Sequence, residues 1–194
     1  MTAPGGHGTQ YEVPIPTLSD PADAQDFIDA RIAEGADYIK LVLEDGSTFG
    51  TPLPTLDEAT LRAAIDAAHA RGVLAVVHVG HYEFARLAVE AGADGLVHTF
   101  LDRMPDPDFG ALVADAGVFL VPTLTVLEGV VGIKGGAAII ADSVLGPRLA
   151  RHEIDNLVLG FPVREGTMLS MANAFAGVRA VHEAGPRLLP TRSD

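Results

Sequence analysis

The chain contains no cysteine among its 194 residues. That excludes a disulfide framework and any thiolate metal site, so a metal here must be held by histidine, carboxylate or a modified lysine. Positive charge is also scarce. Lys and Arg number 13 against 26 Asp and Glu, for a formal net charge of −13 and a pI near 4.7. Such a surface repels phosphate backbones, which argues against nucleic acid or an anionic membrane as partner. Long uninterrupted apolar runs are missing as well. The longest apolar stretch, residues 111–127, is broken by Asp115, Gly117 and Pro122, so it is no transmembrane helix. The opening MTAPGGHGTQYEVPIP has neither the basic nor the apolar region of a signal peptide, and a cytoplasmic location is expected.

What the chain does have is enough apolar material for a packed core: 48% of residues are hydrophobic and 20% charged. Its length suits a single domain over residues 1–194. One local pattern recurs in AEGADYIKLVL, HARGVLAVVHV, EAGADGLVHTF, DAGVFLVPTL and EAGPRLLP. In each, a helix-like segment ends in glycine (Gly35, Gly72, Gly92, Gly117, Gly185) and a short apolar run comes directly after it. Glycine just past a helix closes it with a positive φ. The apolar runs read as parallel strands buried on both faces.

Before the glycines the spacing is helical. Leu61, Ala64, Ile65 and Ala68 form one stripe, and Phe84, Leu87, Ala88 and Ala91 another. Thr55, with Glu58 three residues on, fits a capping box at the first of these helices. Residues 5–21 read as a Gly/Pro-rich loop leading to a helix over about 23–34. The alternation predicts an α/β fold with right-handed βαβ crossovers. Regularity lapses after Thr123, where residues 124–183 read as a mostly helical insertion before a last strand at 187–190. An insertion there would sit over a barrel mouth.

The polar residues in these strands carry the chemistry. Lys40 stands inside YIKLVL, His78 closes AVVHV and His98 closes GLVHT. In a βα barrel the C-terminal strand ends converge on the active site. A desolvated lysine loses pKa, and its neutral amine can take up carbon dioxide as a carbamate, a bidentate anion. Alternatively Lys40 snorkels to solvent or pairs with Glu44 or Asp45. His78 and His98, taken singly, read as core histidines; at matched ends of adjacent strands they read as imidazole ligands for zinc or a similar ion. His81 and Tyr82 either line the pocket as substrate contacts or, as the residues favour for His81, begin the next helix with a cap. His69 falls in a helix's last turn and reads as structural, while His152 and His182 read as surface residues. Asp194, beyond the last strand, is either a proton shuttle for metal-activated water or a solvated terminus.

GADYIKLV, LDEATLRAAIDAAHARGVLAVVHV, AVEAGADGLVHTFLD and GVFLVPTL together resemble the amidohydrolase superfamily, nearest its imidazolonepropionase-like and Xaa-Pro-dipeptidase-like branches. The likeness runs over about residues 5–125 and rests on Lys40, His78, His98 and Pro122–Thr123 in that order and spacing. It implies a partial (β/α)8 TIM-type barrel, about strands four to eight. Lys40 would be the often-carboxylated strand-four lysine, with His78 and His98 the metal-binding histidines of strands five and six. His7, in GGHG, would face the substrate, and Asp194 would stand for the strand-eight aspartate, although TRSD lacks that motif's glycine. The resemblance implies hydrolysis of an amide-type C–N bond by metal-activated water. One or two divalent ions, zinc first among them, would serve a small-molecule amide or peptide substrate. One departure stands out: the family's His-x-His pair occurs nowhere in the chain. A truncated, non-catalytic remnant is therefore the alternative, and the open edges of a partial barrel would favour a homo-oligomer.

Overall fold

The computed structural model describes residues 1–11, 14–133, 135–158 and 169–185. Strands β1 (Tyr38–Leu43), β2 (Leu74–Val79), β3 (Gly95–Val97) and β4 (Phe119–Val121) form one parallel sheet in sequence order. Helix α1 (Ala24–Ala33) precedes β1, and α2 (Glu58–His69), α3 (Tyr82–Glu90) and α4 (Phe109–Asp115) make the crossovers. Gly35, Gly72, Gly92, Gly117 and Gly185 all take positive φ, between 69° and 97°, which closes each helix at its C-terminal end.

The two sides of the sheet differ, contrary to the reading of strands buried on both faces. Ile39, Leu41 and Leu43 of β1 are buried and join Ala75, Val77, Val79 and Leu96 in the main core. Against them pack Leu61, Ala64, Ile65 and Ala68 of α2 and Ala85 and Ala88 of α3. Tyr38 and Lys40, on the alternate face, are exposed, and Val42 is half-buried. A strand's side chains alternate with period two, so helices on one face leave every second residue on the other. Lys40 is thus not embedded in apolar packing; it stands on the open face.

Helix α2 begins at Glu58, and its cap is Asp57, whose carboxylate accepts the Thr60 N–H at 2.7 Å. Thr55 is not the cap: its hydroxyl accepts the backbone N–H of Glu44 at 3.2 Å. The stripe of α3 packs into the core as expected, with Ala88 and Ala91 buried and Phe84 and Leu87 partly buried against them, and Tyr82, Ala85 and Val89 widen it.

After β4 the described chain is helical, with α5 (Leu124–Val130), α6 (Gly136–Ala141), α7 (Arg151–Val158) and α8 (Met171–Ala184). Helix α5 runs to Val130 and α6 starts at Gly136, so the glycine-rich stretch 129–136 is helical at both ends. Leu101, Leu127, Met171 and Ala174 form a small second core under α5 and α8. Helix α8 also lies close along α4, where a Cβ on Gly110 would meet the Ala180 carbonyl at 2.3 Å, and its Val181 belongs to the main core. The last strand expected at 187–190 lies outside the described residues.

Candidate active site

Parallel register decides which side chains share a layer. Val42 pairs with His78 and His78 with Val97, whereas Lys40 pairs with Val76. Lys40 therefore sits one layer below His78, and the expected set of three matched strand ends is a stagger. His98 comes directly after the last residue of β3. Its backbone is left-handed, at φ 70°, and so is that of Thr123 after β4, at φ 48°. Non-glycine residues hold that conformation only where the surroundings over-determine it, and such outliers gather at functional sites. Here the two strained residues are bound to each other. His98 Nδ1 hydrogen-bonds the Thr123 hydroxyl, and the His98 N–H donates to the Val121 carbonyl at 2.9 Å.

The N-terminal segment brings a further imidazole to this place. Met1 donates its amino group to the Lys40 carbonyl at 2.8 Å, and Thr2 bridges to Thr17, which lays the segment beside β1. Gly6 permits the close turn of the next residues: a Cβ there would lie 2.4 Å from Thr2 Oγ1 and 2.7 Å from the Pro54 carbonyl. The His7 ring then lies 5.0 Å from that of His78, which in turn lies 4.5 Å from that of His98. The chain thus brings together three imidazoles from the N-terminal loop, β2 and the β3 end, the last two edge to face.

Electrostatics keep this cluster neutral. Burial pushes the pKa of both His78 and His98 down to about 3, reinforced by the neighbouring imidazoles and Lys40. His7 is lowered too, chiefly by desolvation, with Glu44 opposing. Desolvation also lowers Lys40, although its side chain reaches water from the open face and so keeps part of its hydration. Neutral imidazoles have a lone pair to give, which is the form a metal requires.

One residue of the site had no motif to reveal it. Glu44, just past β1, is 1% exposed, and burial raises its pKa against the opposing Gly46 N–H. Its Oε1 accepts that N–H at 2.6 Å, while its Oε2 is buried without a hydrogen-bond partner, 4.0 Å from His78 Nε2. The only sequence signal was its placement: an even-numbered step from Lys40 puts it on the same face of β1.

The remaining candidates fall elsewhere. His81 occupies the cap position of α3 but makes no capping bond; its ring stacks on Phe84 at 3.9 Å and its Nε2 lies 3.6 Å from Asp45 Oδ2. The N–H of Tyr82 is accepted instead by Asp102 at 3.0 Å. Tyr82 itself is fully buried among Phe100 and Phe109, and its hydroxyl accepts the Asp106 N–H, so the structure gives it a packing role in place of the pocket contact expected. His69 pairs with Asp94 at 2.8 Å, and His152 and His182 are exposed, as expected. Asp194 lies outside the described residues.

No protein-family model matches this sequence, and no curated protein matches it. Solved structures do match it in shape. A Xaa-Pro dipeptidase with methionine bound in its active site is 19% identical with a TM-score of 0.63, over 98% of this chain and 45% of that one. A prolidase complexed with N-methylphosphonate-L-proline is 18% identical with a TM-score of 0.59, over 89% of this chain and 37% of that one. An amidohydrolase is 18% identical with a TM-score of 0.57, over 90% of this chain and 38% of that one. The chain shares the fold of these solved structures. The chain spans less than half the length of each of these amidohydrolase-fold structures. Among the described residues no helix is long and apolar enough to cross a membrane.

Proposed function

We propose that Lys40, His78 and His98 form a divalent-metal site, for zinc or a similar ion, that serves hydrolysis of an amide-type C–N bond. The substrate class is a small peptide, an N-acyl amino acid or a cyclic amide, in keeping with the amidohydrolase fold. The observation that carries this reading is the neutral, contacting pair His78 and His98 at adjacent strand ends, with ring centroids 4.5 Å apart.

The donor set suits such an ion. Two imidazoles with depressed pKa are ready ligands at neutral pH. Among the described residues no three His, Asp or Glu side chains are grouped to hold a metal unaided, so a further donor is needed. Lys40 is that donor: its neutral amine adds to carbon dioxide, forming an N–C bond and releasing one proton, and the resulting carbamate offers two oxygens. A bound divalent ion would supply a Lewis acid that polarises a carbonyl and lowers the pKa of water. Thr123 holds His98 by its Nδ1, leaving Nε2 as the ligating nitrogen. His7, which lies beside His78 and is half-exposed, is the proposed substrate contact, and Asp194 the proposed proton acceptor.

The test is the metal content of the purified chain by elemental analysis, for wild type, Lys40→Ala and His98→Ala. Near-stoichiometric zinc that falls in both variants supports the site. The competing reading is a non-catalytic remnant, favoured by the missing His-x-His pair. No metal in the wild type after supply of zinc and bicarbonate would establish it.

A further inference from the structure

Glu44 is the one member of the cluster for which neither the metal-site reading nor the packing of the core has a use. Burying a carboxylate is costly unless its oxygens are satisfied. Glu44 satisfies only one, Oε1, through the Gly46 N–H. The backbone nevertheless holds the other in place. The Glu44 N–H is tied to Thr55, and the carboxylate lies over Gly80, where a Cβ would sit 2.0 Å from Oε2. Only a residue without a side chain leaves that room. The unpartnered oxygen faces Nε2 of His78 at 4.0 Å, closer than any other ionic partner it has among the described residues.

From this geometry we infer that Glu44 is a positioning residue that holds His78 as its Nε2–H tautomer, so that Nδ1 carries the lone pair. The inference rests on the reading of His78 as a metal ligand. A neutral imidazole has one N–H and one lone pair; in its ionised form the carboxylate only accepts, and so selects the tautomer that points N–H at it. A shift of about one ångström closes 4.0 Å to a charge-assisted hydrogen bond. His98 is the complementary case, held at Nδ1 by Thr123 and ligating through Nε2. Carboxylates and hydroxyls behind metal-bound histidines fix ring orientation in this way.

Glu44→Gln tests it. A glutamine whose oxygen keeps the Gly46 N–H must turn its NH2 toward His78, which favours the Nδ1–H tautomer instead. The first readout is the tautomer of His78 in the metal-free protein, from long-range ¹H–¹⁵N correlation spectra assigned with His78→Asn. The expected result is Nε2–H in the wild type and a shift toward Nδ1–H in Glu44→Gln. The second is zinc affinity by chelator competition, expected to fall roughly 10- to 100-fold in Glu44→Gln. Nδ1–H in the wild type overturns the inference, whether or not the variant folds. So does a folded Glu44→Gln whose tautomer and zinc affinity match the wild type. A wild type with the Nε2–H tautomer but no zinc binding would instead refute the metal reading alone and leave the role of Glu44 standing.

Discussion

At the scale of single residues, the cluster is built from groups pushed away from their solution behaviour. His78 and His98 hold a pKa of about 3 in the fold, against roughly 6.5 for an exposed histidine. The unfolded chain therefore binds protons first as pH falls, and stability rises with pH across that interval. The contribution is fully present above about pH 6.5 and is lost progressively toward about pH 3. Glu44, with its pKa raised, acts with the opposite sign near its own titration, so the clean measurement is a difference between proteins. His98→Asn in the metal-free state should flatten the fall in urea midpoint between about pH 7 and about pH 4.5 relative to wild type. Parallel curves would show that His98 is not held neutral by the fold.

At the scale of elements, α2 and α8 each owe their N-terminal cap to a single side chain, Asp57 and Ser170. Asp57 satisfies an otherwise orphaned N–H at the start of α2, so Asp57→Ala should lower the urea midpoint. Thr55→Ala should leave the α2 end intact, because its hydroxyl is engaged with Glu44. No change in the urea midpoint on Asp57→Ala would show that this cap does not hold the α2 end. A side chain from another element likewise serves α3, where Asp102 accepts the Tyr82 N–H and frees His81 to stack on Phe84 beside Asp45. The short strands β3 and β4 end in left-handed residues, His98 and Thr123, and that turn aims both side chains at one another.

For the whole molecule, one face of the sheet is covered by helices and the other carries Lys40, His78 and the imidazole cluster. A ligand that binds only the folded form stabilises it by mass action, by about 2.7 kcal/mol at a free concentration of 100 times Kd. Zinc with bicarbonate should therefore raise the thermal midpoint of the wild type, chelation should reverse the rise, and Lys40→Ala should not respond. An equal rise in Lys40→Ala would place zinc elsewhere on this acidic surface, whose formal net charge is −13.

The sequence by itself determined the order of the described strands and helices, the glycines that end the helices and the place of His78 and His98 at strand ends, because periodicity and φ preference are local properties. It also determined that thiolates take no part. Only the tertiary structure decided that Lys40 lies a layer below His78 on an open face, since register depends on how two strands pair. It decided that Tyr82 is core, that Asp57 and not Thr55 caps α2, and that His7 meets His78 from the far end of the chain's first loop. Glu44 is the sharpest case. The sequence offers it only as a possible partner of Lys40, and its buried, half-satisfied carboxylate exists only because Thr55, Gly80 and His78 close around it in space.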